Sequence, residues 1–211
     1  MKGHKCLGLS MLMLGFLFSP MSVQANVLTY DTWTTNSGGA PNYILTVDDS
    51  TAGKFNYRLT IDPWNAQALG LFVDFGSDPS PIGSVADVDF VDTSAANGLG
   101  DLKARLYNIN TDETSCGKGC NINGLPKAVK SNQWEMVFRF DENGGSSLQQ
   151  SFSWVTNSFG LGLSDFGLVA LRSQVYCDDG GLLPDKSGCG SSDMSYSSTL
   201  GTISTSLIPP S

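Results

Sequence analysis

Histidine is almost absent from this sequence, and positive charge is scarce. The only histidine is His4, and twelve Lys+Arg stand against twenty Asp+Glu in 211 residues, a formal net charge of -8. Without a histidine in the body of the chain, Ser-His-Asp and Cys-His catalysis and His-ligated metal sites are excluded. The acidic balance argues against nucleic acid as a partner, because the phosphate backbone repels such a surface. No Gly-rich phosphate loop joins a strand to a helix, which excludes nucleotide-binding motifs.

Long apolar runs are also missing, apart from one near the start. Leu7 to Phe18 is nearly unbroken and apolar, two lysines precede it, Pro20 ends it, and Val23-Gln24-Ala25 follows with the small residues that a signal peptidase reads. This layout predicts a secretory signal peptide at residues 1–25, too short in its apolar part for a comfortable membrane span. We therefore predict a mature domain at 26–211 without a membrane span, secreted to the extracellular space or periplasmic.

Period-2 alternation recurs along the mature chain, whereas helical periodicity is hard to find. Lys54–Ile61, for example, places Phe55, Tyr57, Leu59 and Ile61 on one face. Turn residues separate the other runs, which are 43–47, 68–75, 86–91, 102–109, 133–140, 152–155, 168–175 and 200–207. Short alternating runs at this spacing predict an all-β fold, a single antiparallel β-sandwich with jelly-roll-like connections.

Two local features lead to further expectations. The alternating runs at 134–140 and 151–155 flank an Asp-Glu-Asn-Gly-Gly segment, whose glycines suit the positive φ of a hairpin loop. We therefore predict that these two runs pair as a hairpin. Glycine and serine are enriched between about 178 and 205. This enrichment predicts a flexible surface loop ahead of the last strand.

The mature chain keeps four cysteines, Cys116, Cys120, Cys177 and Cys189. In an exported chain, four cysteines are most simply two disulfides, for which three connectivities exist. Loop-closure entropy favours Cys116–Cys120 and Cys177–Cys189, because short loops cost less to close. A four-Cys zinc site is disfavoured because neither pair has the C-x₂-C spacing and because thiols oxidise outside the cytoplasm.

Aspartate is the commonest acid, and carboxylates with loop carbonyls are the hard oxygen ligands that Ca²⁺ prefers. Asp87 and Asp89 share one face of a predicted strand, and Asp178 and Asp179 form a second acidic group. A structural calcium ion is therefore the one cofactor these residues suggest. Alternation of aspartate with apolar residues is also typical of a half-exposed strand, so both interpretations stay open.

Aromatic and acidic side chains suggest two kinds of carbohydrate chemistry. Trp33 and Trp64 lie in loop-like surroundings and are the candidate ligand-binding residues, because flat rings hold sugars through apolar CH contacts. Trp134 and Trp154 fall on apolar strand faces and are expected in the core. Glu135 is the best candidate for a groove-facing carboxylate, although glycosidases need two carboxylates and this strand carries one. The alternative for Glu135 and Arg139 is a solvated sheet face with a modest ion pair.

The segment Phe166–Val175, with its hydrophobic–Arg–x–Gln–x pattern, is followed by a Gly/Ser-rich stretch containing Ser191-Ser192-Asp193. These residues resemble the penultimate strand of secreted bacterial PEP-CTERM (exosortase-sorted) β-sandwich proteins. Such proteins end in Pro-Glu-Pro, a membrane helix and a basic cluster, whereas this sequence ends at Pro209-Pro210-Ser211. The resemblance implies an extracellular surface or matrix protein with no catalytic residues, and the missing sorting tail favours free secretion or a periplasmic location.

Together these patterns predict an exported, non-catalytic protein of the cell envelope or extracellular matrix that binds glycans or other proteins. One alternative is a carboxylate-dependent glycoside hydrolase that acts through Glu135 and a partner aspartate. A second alternative is a self-assembling structural surface protein whose exposed strand edges pair between copies.

Overall fold

The computed structural model describes residues 24–36, 41–76, 91–95, 105–111, 113–140, 149–177, 180–183, 185 and 189–207. Within these ranges β-strands are the predominant secondary structure. The strands are β1 (Gln24–Tyr30), β2 (Trp33–Thr35), β3 (Tyr43–Asp48), β4 (Lys54–Ile61), β5 (Ala66–Val73), β6 (Val91–Ala95), β7 (Arg105–Thr111), β8 (Trp134–Arg139), β9 (Ser151–Asn157), β10 (Val169–Cys177), β11 (Cys189–Ser197) and β12 (Thr202–Leu207). A four-residue helix, α1 (Lys127–Lys130), and a 3-10 turn at Leu163–Asp165 complete the elements.

The strands form two six-stranded sheets that pack face to face. The first sheet has the order β12-β1-β3-β4-β9-β6, and the second has the order β2-β11-β10-β5-β8-β7. All neighbouring strands are antiparallel. The chain passes repeatedly from one sheet to the other, so strands that are close in sequence often lie in different layers. The predicted antiparallel β-sandwich is confirmed.

Aromatic rings fill the space between the two sheets. The Tyr57 ring of the first sheet stacks on Trp154 with centroids 5.0 Å apart and lies 5.5 Å from Phe138 of the second sheet. Phe140 in turn lies 4.5 Å from Phe152. These rings come from alternating positions of β4, β8 and β9, so the period-2 pattern of the sequence is the pattern of this core.

A second apolar cluster covers the outer face of the second sheet. It is formed by the segment 113–133, here called the cap, and by side chains of β5, β8 and β10. Its buried members are Leu69, Phe72, Cys116, Cys120, Ile122, Leu125, Val129, Trp134, Val137 and Ala170. As a result, every residue of β5 and every residue of β8 is buried. The centre of the second sheet therefore has no solvated face.

A disulfide closes a loop within the cap, and one arginine of the sheet binds that loop. Cys116 and Cys120 form a disulfide with their Cα atoms 5.0 Å apart. The Arg139 guanidinium, 3% exposed, donates to the carbonyl oxygens of Cys116 at 2.7 Å and Lys118 at 3.2 Å. These charge-assisted hydrogen bonds satisfy carbonyls that a buried loop would otherwise leave without partners.

The expected hairpin across residues 134–155 is wrong. β8 pairs with β5 and β7 in the second sheet, whereas β9 pairs with β4 and β6 in the first sheet. The two strands face each other across the core instead, where Phe138 lies 5.3 Å from Trp154. Two neighbouring apolar runs can satisfy the same burial requirement either as a hairpin or as opposite layers, and alternation alone does not distinguish the two.

The expected flexible loop between 178 and 205 is also wrong in its centre. Residues Cys189–Ser197 form β11, which pairs with β10 and β2. Its inward positions carry Asp193, Ser195 and Ser197, all buried, while Met194 and Tyr196 pack against the cap cluster on the other face. The strand has small polar residues on its core side, so its composition resembles that of a loop.

Helical structure contributes little to this fold. The helix α1 follows Pro126 within the cap and buries Val129. In the part of the chain that the structure describes, no helix has the length and apolar character that a membrane span requires.

Asp74 organises the end of the sandwich where β5 finishes. Its Oδ1 accepts the Gly76 N–H at 2.6 Å, and its carbonyl oxygen accepts the Gly167 N–H at 2.7 Å. The Tyr30 hydroxyl donates to the Gly167 carbonyl at 2.8 Å, which ties β1 to the same turn. Burial raises the pKa of Asp74 above the ordinary value of a carboxyl group, since desolvation disfavours its charged form.

Asp74→Asn is expected to stabilise the protein in a pH-dependent way. Because the folded-state pKa lies above the unfolded value, protonation stabilises the native state at low pH, and this contribution is lost as the pH rises through the folded pKa. The variant should therefore melt at a higher temperature than wild type at neutral pH and at a similar temperature near pH 3. Thermal unfolding across pH measures this difference, with the exposed Asp62→Asn as control. A difference that does not change with pH would contradict the prediction.

Gly70→Ala is expected to destabilise the protein by about 1–3 kcal/mol, the usual cost of overpacking. A Cβ atom at Gly70, in the middle of β5, would collide with the Sγ atoms of Cys116 and Cys120. Urea unfolding of the oxidised protein measures the cost, and Gly190→Ala is the control because its Cβ meets nothing within 4 Å. Removing both cysteines should reduce the cost of Gly70→Ala, and an equal cost in the two backgrounds would refute this explanation.

Candidate functional site

Trp33 lies half-buried in β2, at the edge of the second sheet. Its ring packs edge-on against Tyr43, with centroids 5.5 Å apart and an interplanar angle of 79°. Its indole Nε1–H donates to the Tyr43 carbonyl oxygen at 2.8 Å. These two contacts hold the ring in one orientation across the boundary between the two sheets.

Trp64 lies in the turn between β4 and β5, after a cis Asp62–Pro63 peptide bond. It is half-buried and packs against the central core. Asn42 ties this turn to the start of β3, because its Nδ2 donates to the Pro63 carbonyl at 3.0 Å and its backbone N–H donates to Asn65 Oδ1 at 3.2 Å. The Trp64 Nε1 is buried and has no hydrogen-bond partner among the described residues.

Both candidate tryptophans are therefore connected to the Asn42–Tyr43 segment, Trp33 through Tyr43 and the turn of Trp64 through Asn42. We call this region, defined by Trp33, Asn42, Tyr43, Trp64 and Asn65, the tryptophan end. Trp33 reaches it from the second sheet and Trp64 from the end of β4 in the first sheet. Thirty residues of sequence lie between the two tryptophans, so their convergence results from the packing of the two sheets.

A disulfide loop borders the tryptophan end. Cys177 and Cys189, opposite each other on β10 and β11, form the second disulfide with Cα atoms 4.0 Å apart. The Cys177 N–H donates to the Asn65 carbonyl at 2.9 Å, and the Leu183 N–H donates to the Trp64 carbonyl at 2.8 Å. Both predicted disulfide pairings are thus confirmed, and the second one attaches its loop to the turn that carries Trp64.

The four aspartates suggested for calcium cannot be located. Asp87, Asp89, Asp178 and Asp179 all lie outside the described residues. Within the described ranges there is no group of three or more His, Cys, Asp or Glu side chains that could hold a metal ion. Asp178 and Asp179 directly follow Cys177 in sequence. A calcium site at these two residues would therefore belong to the disulfide loop, and it stays a prediction.

A buried polar network supports the tryptophan end from inside. Asp193 is 0% exposed, its Oδ2 accepts the Ser195 hydroxyl at 2.5 Å, and its N–H donates to Ser173 Oγ at 3.1 Å. Burial and the nearby Asp193 carboxylate raise the pKa of Tyr43 far above the ordinary tyrosine value. Burial lowers the pKa of Arg172, an effect that the opposite charge of Asp193 partly offsets.

This network has a structural role, because solvent does not reach it. A carboxylate without exposed surface can meet no substrate, and a buried charge is tolerated only with hydrogen bonds and a nearby opposite charge. Residue composition did not reveal Asp193. The alternation of Met194 and Tyr196 with small polar residues was the one sequence feature that could have indicated it.

The expected groove-facing position of Glu135 is wrong, and so is the solvated sheet face expected for Glu135 and Arg139, because both side chains are buried. Glu135 is 5% exposed, and its Oε2 accepts the Phe75 backbone N–H at 2.9 Å. Arg139 donates to the cap, as described above. Both faces of β8 are covered, so a carboxylate in this strand lies within the protein and not in a substrate groove. Trp134 and Trp154 are buried, as expected.

Comparisons of the chain with protein families, with curated proteins and with solved structures give no match.

Proposed function

We propose that this protein is an exported, non-catalytic β-sandwich of the cell envelope or extracellular matrix that binds a glycan at the tryptophan end. The observation that carries the proposal is the convergence of Trp33 and Trp64 on the Asn42–Tyr43 segment. Both rings are half-buried and pack against the core, and the Trp33 ring is also held by its hydrogen bond to the Tyr43 carbonyl. A ring that is already oriented loses little conformational freedom when a ligand stacks on it.

The chemistry around the rings suits a neutral, hydroxylated ligand. The half-buried Asn42 and the exposed Asp62 offer an amide and a carboxylate group beside Trp64. Such groups donate and accept hydrogen bonds with hydroxyls, while the indole faces contact the CH groups of a sugar ring. A polyanionic ligand is disfavoured by the net charge of -8.

The disulfides support the exported location. Cys116–Cys120 and Cys177–Cys189 are both formed, which indicates an oxidising compartment. The signal-peptide pattern at residues 1–25 and the resemblance to PEP-CTERM proteins are consistent with export to the envelope or matrix.

A glycan array with the mature, oxidised protein tests the binding proposal. We expect selective binding by wild type and a loss of about tenfold or more for Trp64→Ala, since a stacked aromatic ring contributes on the order of 1–2 kcal/mol. Tyr107→Ala is the matched control, because Tyr107 is an aromatic residue with 38% exposure on the opposite edge of the second sheet. Unchanged binding by Trp64→Ala, or no bound glycan at all, would reject the proposal.

The same array, repeated with chelator, tests the calcium site. Loss of binding on chelation, reproduced by Asp178→Asn together with Asp179→Asn, would place the ion in the disulfide loop. The same loss caused by Asp87→Asn together with Asp89→Asn would instead place the calcium ion at those two aspartates.

Self-assembly is a second candidate function, and strand β12 favours it. β12 forms one edge of the first sheet, its sequence Thr-Ile-Ser-Thr-Ser-Leu carries no charge and no proline, and Ile203 is 47% exposed. Edge strands of soluble proteins are usually protected by charged residues or proline, and β12 has neither.

If β12 pairs between copies, the mature chain should sediment as a larger species when its concentration increases. Ile203→Lys should abolish this dependence, because a charge in the strand opposes edge-to-edge pairing. Sedimentation velocity over a hundredfold concentration range measures the effect, with Leu200→Lys as a control outside the strand. A monomer at every concentration would contradict self-assembly and leave glycan binding unaffected.

A further inference from the structure

Strand β1 begins before the bond that a signal peptidase would cut. The sequence pattern places cleavage between Ala25 and Asn26, whereas β1 starts at Gln24. In the uncut chain Gln24 pairs with Leu207 and Ala25 pairs with Ser206, both in β12. Cleavage therefore takes two residues out of a strand, and it creates a new amino terminus inside a sheet.

The position of that new terminus has a carboxylate partner. The Asn26 backbone N–H donates to Asp49 Oδ1 at 2.9 Å, and the Asn26 Nδ2 donates to Asp49 Oδ2 at 3.4 Å. The Asp49 N–H donates in return to the Asn26 carbonyl at 3.4 Å. Both oxygens of one carboxylate thus face the atoms of the residue that becomes the first of the mature chain.

We infer that Asp49 is the receptor for the mature amino terminus and that removal of the signal peptide completes an ion pair at this point of the sheet. Hydrolysis of the Ala25–Asn26 peptide bond consumes one water molecule, leaving a carboxylate on Ala25 and an ammonium group on Asn26. The N–H that donates to Asp49 becomes an N–H of this ammonium group. A neutral backbone hydrogen bond is replaced by a charge-assisted one, which is stronger. This inference rests on the proposed export of the chain.

The surrounding charges favour the ammonium group. Asp48, the residue opposite Val27 in β3, is the other carboxylate nearby, and its Oδ1 already accepts from the Ser50 N–H at 3.1 Å and from Asn56 Nδ2 at 2.8 Å. From β12, Thr205 donates its hydroxyl to Asn26 Oδ1 at 3.3 Å and brings no charge. Asp49 is therefore the carboxylate that contacts the new terminus, while Asp48 is adjacent in sequence and bonds to Ser50 and Asn56.

Cleavage also changes β12. Once Gln24 and Ala25 are removed, Ser206 and Leu207 lose the partners they have in the uncut chain. The last two residues of an edge strand then present unpaired backbone groups on both sides. The mature chain thus has a longer free edge than the precursor.

The test begins with the full-length chain expressed with its own leader in a bacterial host that exports proteins. Intact mass and amino-terminal sequencing of the exported, oxidised protein should show that it begins at Asn26. The α-amine is then labelled by reductive methylation with isotope-labelled formaldehyde and titrated by NMR. Its pKa should lie above the ordinary value of about 8 for an α-amino group, because a neighbouring carboxylate favours the charged form.

Asp49→Asn is the deciding variant and Asp48→Asn is its matched control. Both remove one negative charge at adjacent positions, and in both the asparagine oxygen still accepts hydrogen bonds. We expect Asp49→Asn to lower the pKa of the α-amine by about half a unit or more and Asp48→Asn to lower it by clearly less. Equal effects of the two variants would overturn the assignment of Asp49 as the receptor.

A second measurement separates the ion pair from the backbone hydrogen bond. A chain exported by a foreign leader that leaves Gln24 and Ala25 in place has no ammonium group at Asn26. Asp49→Asn should therefore lower its melting temperature less than it lowers that of the mature chain at neutral pH. An equal loss in both chains would refute the inference.

The outcomes distinguish this inference from the proposed export. An exported protein that begins at a residue other than Asn26 overturns the inference and leaves export in place. A chain that stays inside the cell with its leader attached overturns both.

Discussion

The burial of both faces of the second sheet is the constraint on which the rest of the structure depends. β5 and β8 carry large apolar side chains in both directions, so the core between the sheets can bury only half of them. The cap buries the other half, and it does so as a loop whose backbone needs hydrogen-bond partners. Arg139 donates to two of its carbonyls, and the Cys116–Cys120 disulfide closes the loop covalently. Gly70 leaves the space in which the disulfide lies against the sheet.

The same constraint separates the structural from the available acidic groups. Glu135 lies in a strand that is covered on both sides and bonds to the backbone of Phe75. Asp193 has no exposed surface and is held by Ser195 and Ser173. Both carboxylates stabilise internal contacts, because a buried charge needs such partners. The tryptophan end, to which we assign the proposed binding, is built instead from three separate segments that carry Trp33, Asn42–Tyr43 and Trp64–Asn65.

Part of this architecture could be predicted because the physical requirement is local. Lys54–Ile61 was predicted with its exact bounds, since each residue of β4 faces either the core or solvent and the alternation is clean. The two disulfide pairings followed from short loop lengths. The predictions failed where the residue pattern specifies neither which side of a strand faces the core nor which strand is its partner. β11 turns serine and aspartate toward the core, and β8 and β9 share an apolar pattern although they lie in opposite sheets.

The sequence by itself determined the class of fold and the kinds of chemistry that a chain with one histidine excludes, and it favoured the cysteine pairs that form, because these depend on residue type and on short separations. Only the tertiary structure decided which runs share a sheet, which faces are covered, and that Trp33 and Trp64 converge. It also decided that Asp49 faces Asn26. These are contacts between residues far apart in the chain, and many pairings satisfy the same local pattern. The choice among them is made by packing both sheets and the cap into one close-packed interior.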